Sequence, residues 1–467
     1  MASTSHAPSH IPSAPPARTV KRALRLSTME GVAFGAFIGL GEHFILAFAV
    51  AMSGSSLEIG LLASLPGFLG SIAQLFDTRL VQLLKSRKAV VLIFALAQGL
   101  ILLPLIAVVF IDSGQGVWWL VLFASLYSIF GALISPAWGS IMSQLVPGKL
   151  RGSYFSRRSR LSTLANVMSF LLAGLFLNQL VEKELWGFAV LFGAAVVARL
   201  ISWALLTRLH EPDKELYQVA HASHTSNNAQ RHNLRTYLLF LFCMSFAVNI
   251  ASPYFTLYQL RDLGMDYLTF VALEAVSTLA TLVAITHWGQ AADRAGNRKI
   301  LLLTSLLIPF VPLLWIPSSN FMYIALIQAF SGLAWAGFNL CSVNYLYDAT
   351  HPDNRTRYLA YFSAGMGMTA GLGALTGGYI LEWLPALRGH QIITLFLISG
   401  LLRLLTTAAF ISRVKEVRKV SNLPASQLFH ILIGGRSVHR RVIHHHSPLH
   451  HFHLGKTKVG QANGHRP

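Results

Sequence analysis

The residues of this chain that could do chemistry are a few ionisable groups set inside long apolar stretches. Glu42 follows Gly31, Gly35 and Gly39, a glycine at every fourth position. At about 100° per residue Glu42 falls roughly 20° from Gly31, so its carboxyl is expected to point into protein, not lipid. A carboxylate there must be protonated or paired, which makes Glu42 the first candidate for a proton-coupling site. Glu274 shares a helix face with Ser277, Thr278 and Thr281 and is the second, while His287 falls on the far side. For both acids a plain hydrogen bond to a neighbouring helix is the alternative. His43 is expected to be a packing side chain, with a place in a proton relay as its alternative.

Polar stripes add a second kind of chemistry. Ser245, Asn249, Ser252 and Thr256 fall in one sector of a helix, as do Gln328, Ser331, Trp335, Asn339 and Ser342 in another. Tyr127, Gly131 and Trp138 form an aromatic line on a third. Such stripes either contact a solute or knit helices together. Arg199 and Arg403 lie near helix ends and are expected to snorkel to the surface in a structural role. Few charges are expected to face a cavity built from these stripes, which favours a neutral, amphipathic or weakly cationic solute. His444, His445, His446, His450, His451 and His453 could bind a transition metal loosely. No nucleophile triad, phosphate loop or cofactor fingerprint is present, so neither an enzyme nor a cofactor is expected.

The elements that must position these residues are membrane helices. Of 467 residues 54% are hydrophobic and 12% charged, and the mean hydropathy is +0.53. That balance excludes an ordinary soluble domain. Apolar runs appear at about 29–52, 58–76, 89–111, 117–140, 161–181, 186–207, 236–258, 267–290, 300–317, 320–345, 358–381 and 391–411. The first is too long for a signal-peptide core and is expected to be an uncleaved span. With both termini cytoplasmic, every Lys and Arg lies on the cytoplasmic side except Lys183, Arg261 and Arg388 outside and Arg199 and Arg403 within spans. The positive-inside rule then fixes the orientation. It also accounts for the formal charge of +19 without nucleic acid. Cys243 and Cys341 both fall inside spans and read as small apolar residues.

The chain repeats itself. ARLISWALLTRLHE at the end of the sixth run matches LRLLTTAAFISRVKE at the end of the twelfth, pairing Arg199 with Arg403, Arg208 with Arg413 and Glu211 with Glu416. The domains expected are a disordered basic tail (1–25), a six-helix bundle (26–207), a cytoplasmic linker (208–235), a second six-helix bundle (236–412) and a basic, histidine-rich tail (413–467).

Between the eighth and ninth runs lies WGQAADRAGNRK. Its Gly289, Asp293, Arg294, Gly296, Arg298 and Lys299 reproduce a G-x-x-x-D-R-x-G-x-R-K pattern, by which the chain resembles the major facilitator superfamily. The first-half counterpart, FDTRLVQLLKSRK, keeps Asp77, Arg79, Arg87 and Lys88 but lacks both glycines. The resemblance implies an all-α membrane protein of twelve transmembrane helices in two six-helix pseudo-repeats, with helices 1, 4, 7 and 10 around a central cavity. It implies that Asn249, Ser252, Gln328, Trp335, Asn339, Tyr127 and Trp138 face a solute. It also implies that Asp77, Asp293, Asp348, Arg151, Arg355 and Arg357 latch an inner gate. The function expected is alternating-access transport of a small solute, driven by protons, by a monomer in a bacterial inner membrane. The alternatives are a non-transporting sensor or scaffold of the same fold, and a metal exporter using the histidine tail.

Overall fold

The computed structural model describes residues 17–110, 113–146, 151–179, 185–209, 228–350 and 352–417. The described residues contain twelve long helices. They are α1 (17–51), α2 (Ser56–Gln74), α3 (Arg87–Val108), α4 (Ser113–Leu145), α5 (Arg151–Gln179) and α6 (Trp186–Thr207) in the first half. The second half holds α7 (228–262), α8 (Tyr267–Ala295), α9 (Asn297–Leu314), α10 (Phe321–Ala349), α11 (Pro352–Leu381) and α12 (Gln391–Phe410).

Eleven of the twelve are long and apolar enough to cross a membrane, and α11 falls just short in apolarity. The reason is its packing. A Cβ on Gly367 would strike Ser71 and one on Gly378 would meet the Tyr254 hydroxyl and the Ser56 carbonyl, so α11 gives up bulk to lie close against α2.

Two expected boundaries move. The first helix begins at Ala17, inside the segment read as a tail, and α7 begins at Asn228, eight residues before the apolar run that marks it. In both places polar and basic residues extend a helix past its apolar part. The histidine cluster lies outside the described residues.

Prolines explain three breaks. Pro104, Pro253 and Pro312 cannot donate to the carbonyls four residues earlier, and α3, α7 and α9 are interrupted at Ile101, at 250–251 and at 308–309 respectively. In α1 the irregularity is a π turn, Ile38–Glu42, built around Gly39 and Gly41.

The apolar core has three parts. At one end a single cluster runs through both halves, with Phe44, Phe48, Phe188, Tyr254, Phe270, Trp315 and Phe396 among its members. At the other end each half has its own cluster: Val90, Ile141, Met142 and Leu206 in the first, Tyr237, Phe240, Trp288 and Leu346 in the second. The second end carries the α2–α3 and α8–α9 turns and is called the basic end below. The apolar cores of the halves are thus fused at one end and separate at the other, while α2 and α11 stay packed together. Apolar contacts make the seam: Phe170 meets Phe270 edge-on at 6.2 Å, Phe188 meets Tyr267 at 5.6 Å, and Val271 lies over Gly174.

Candidate functional site

Between the halves, on the basic side of the shared core, lies a cavity of about 540 Å³. α7 and α10 supply about half of its polar wall, as their stripes predict: Asn249, Ser252 and Thr256 from one, Gln328, Ser331 and Trp335 from the other. The break in α7 matters here. It lets Asn249 bond back to the Ser245 carbonyl at 2.8 Å while Ser252 starts a new helical segment, so both side chains stay at the wall. Asn339 is exposed and lies outside this lining, as do Tyr127 and Trp138.

Glu274 lines the cavity and accepts a hydrogen bond from the Gln328 amide at 2.9 Å, with Ser277 and Thr278 beside it on α8. His287 is half-buried and lies outside this lining, as its phase on the helix requires. Thr281 bonds the Ser277 and Gly332 carbonyls and so ties α8 to α10.

The glycine stripe of α1 faces α5: a Cβ on Gly35 would strike the Ser162 carbonyl, and one on Gly39 would strike Ser169. Glu42 does not follow that face. The π turn takes more residues than the 3.6 of an α-helix, and Glu42, at its end, instead accepts a bond from the Tyr127 hydroxyl of α4 at 2.9 Å. His43, expected to be packing, lines the cavity, with Nε2 3.1 Å from the Asn166 amide oxygen and its ring 4.7 Å from that of Phe170.

The two arginines do not snorkel. Arg199 and Arg403 are 1% and 2% exposed. Arg403 donates to Ser399 Oγ at 3.1 Å, the Ile308 carbonyl at 3.4 Å and the Val248 carbonyl at 3.2 Å. Pro312 cannot donate to the Ile308 carbonyl; the Val311 amide bonds it at 3.2 Å instead, and Arg403 adds a further bond at this break in α9. It also lines the cavity, and no carboxylate among the described residues pairs with it. The cavity therefore holds a cation, an acid and a histidine, where the sequence led us to expect few charges.

Arg199 belongs to a network that sequence reasoning missed. Its Nη2 donates to Gln98 Oε1 at 2.6 Å and its Nη1 to Ser202 Oγ at 3.3 Å; Ser202 in turn donates to Glu30 Oε1 at 3.1 Å. Arg158 closes the other side of Glu30, 2.7 Å from Oε2, and stacks 4.3 Å over the Trp138 ring. Glu30 and Arg158 sit in the basic flanks of α1 and α5. The available signal was an acid, Glu30, one residue before the glycine stripe begins.

At the basic end, Gly296 joins α8 to α9 with φ +91° and ψ 151°, a conformation essentially reserved for glycine. Asn297 donates to Asp348 at 2.6 Å, and Arg298 holds Glu416 and the Ile411 carbonyl, so this turn is fastened to the end of its own half. Gly289 lets Leu340 pack alongside it, and Asp293 and Arg294 are exposed. The side chains of Arg151, Arg355 and Arg357 lie outside the description. In the first half a short helix, Asp77–Leu84, replaces the glycine turn and closes on Lys85 at φ +52°. Asp77 is 6% exposed, and burial pushes its carboxyl up to about 6. Arg87 donates to Gln144 at 2.9 Å, the counterpart of the Asn297–Asp348 bond.

Twelve helices in two matching halves, joined at one end around a polar cavity, define a membrane carrier scaffold. The family model of the Major Facilitator Superfamily matches residues 32–273 and again 237–450, and the chain belongs to that superfamily. No curated protein matches the chain in sequence. Among solved structures it is similar to a D-xylose-proton symporter (14% identity, 86% of this chain and 100% of that one, TM-score 0.66). It is also similar to the nucleoside transporter NupG (14%, 85% and 99%, 0.61) and, at 0.55, to an inward-facing bacterial homologue of the human lysosomal transporter Spinster (12%, 90% and 96%). At these identities the likeness is one of fold.

Proposed function

We propose that the protein is a secondary transporter that moves a small solute by alternating access, coupled to protons. The observation that carries this reading is the cavity between the halves, sealed by a core that both halves share at one end and flanked by separate cores at the other. By the positive-inside rule the basic end is cytoplasmic, so the arrangement corresponds to an inward-facing state in an energised membrane such as a bacterial inner membrane. The apolar seam supports reversible closure, since ring-to-ring and glycine contacts part without stranding charges.

In this reading Glu274 and Glu42 carry the proton. Each bonds a neutral donor on a neighbouring helix, Gln328 or Tyr127, so either can be protonated without abandoning a counterion. His43 stands in the cavity within reach of exchange with water, and Asn249, Ser252, Gln328 and Trp335 contact the solute. Arg403 and Glu274 together suit a polar solute that carries hydrogen-bonding groups.

The test is thermal stabilisation of the detergent-purified protein against a broad solute panel at two pH values. We expect a hit whose effect depends on pH and is lost in Glu274→Gln or Glu42→Gln. Accumulation that still responds to a pH gradient in the Glu42→Gln/Glu274→Gln double variant would remove both residues from the coupling role.

A further inference from the structure

The first half contains a second, smaller cavity of about 150 Å³ that no part of the transport reading uses. Glu30, Phe34, Gln98, Trp138, Arg158 and Arg199 form its wall. Two features set it apart from ordinary packing.

The first is unmet hydrogen-bonding capacity. The Nε of Arg199 and the Nε1 of Trp138 are both buried N–H donors with no acceptor among the described residues. The carboxylate and amide oxygens of the wall are already engaged: Glu30 Oε1 by Ser202, Glu30 Oε2 by Arg158, and Gln98 Oε1 by Arg199 Nη2. A buried donor left unmade costs more than a bond gains, so something with lone pairs belongs there.

The second is charge. Two guanidinium groups face one carboxylate, which leaves one positive charge in excess in the pocket wall. Water could satisfy the donors but not that charge. A divalent anion would overshoot it, and a cavity this size admits only a small guest.

We propose that this pocket binds a small monovalent anion of halide size, held by Arg199 Nε–H and Trp138 Nε1–H and neutralised by the Arg158–Arg199 pair. The site lies wholly within one half, between α1, α3, α4, α5 and α6, so it stands or falls independently of the solute in the central cavity. A bound anion ties α1 to α4 and α6, the helices that carry Glu42, Tyr127 and Arg199.

The experiment uses the full-length protein in detergent, titrated with chloride against gluconate at constant ionic strength. We expect a saturable rise in melting temperature and a broadening of the chloride magnetic resonance line that bromide competes away. Trp138→Phe keeps the ring beneath Arg158 but removes the donor, and should raise the half-saturating chloride concentration about tenfold or more. Identical melting curves in the two salts with no line broadening would mean a water-filled pocket and overturn the proposal. A chloride response that Trp138→Phe leaves unchanged would place the anion elsewhere and overturn it equally.

Discussion

In the first half Arg199 bonds Gln98 and Ser202 and shares a cavity wall with Glu30, whereas in the second half Arg403, at the matching place in α12, bonds Ser399 and the carbonyls of Val248 and Ile308. One repeat answers the arginine with side chains and an acid. The other answers it with one hydroxyl and backbone carbonyls at the breaks in two helices. The same contrast holds at the turns: Gly296 lets α8 pass directly into α9, while the first half spends a short helix and a left-handed Lys85 to make the same connection. An ancestral pattern can thus be kept as geometry in one copy and as charge in the other. The difference also says where to look for energetic asymmetry.

The largest effect should come from the ion network. Arg158→Leu leaves Glu30 buried without its cation and should cost about 3–5 kcal/mol in denaturant unfolding. Arg403→Met frees one hydroxyl and two backbone carbonyls, all neutral, and should cost about 1–2 kcal/mol. A reversed order would break the comparison.

Asp77 gives the next effect. Its folded-state value of about 6 lies above its usual 3.8, so its contribution is fully present below about 3.8 and is lost as pH rises through 6. That gap corresponds to roughly 2–3 kcal/mol. Asp77→Asn should therefore flatten the stability profile across this window, and an unchanged profile would show that Asp77 is not the titrating group.

The turns come last. Gly296→Ala should cost about 2 kcal/mol because no other residue adopts that backbone conformation cheaply. Lys85→Gly should stabilise by about 1 kcal/mol by relieving the left-handed strain. Opposite signs in a thermal melt of the two variants would confirm the contrast, and equal signs would remove it.

Much of this was legible in the sequence for definite reasons. Spacing of four put Gly31, Gly35 and Gly39 on one face, and that face does meet a helix. The charged turn at 288–299 announced a glycine connection, and Gly296 shows the positive φ that demands one. The stripes on α7 and α10 found about half of the polar cavity wall. Periodicity gives the face of a residue but not its depth. Arg199 and Arg403 looked able to snorkel because their partners, Gln98 and the Val248 carbonyl, lie on other helices a hundred or more residues away. Glu42 was misplaced because a π turn breaks the 3.6 period, and nothing in the sequence marks that turn except paired glycines that serve equally well as packing residues. Glu30 and Arg158 were overlooked because they sit in basic flanks, where charges ordinarily mean surface.

The central claim is that the two ends of the cavity open in alternation. It is tested most directly by electron–electron spin distances in a background lacking Cys243 and Cys341, with one label pair at Leu83 and Asp293 on the basic end and another at Phe110 and Trp383 on the opposite end, all exposed positions. Lowering the pH in the presence of a stabilising solute should shorten the first distance and lengthen the second in the same fraction of molecules. Distances that stay fixed at both ends, or that change in the same direction, would contradict alternating access.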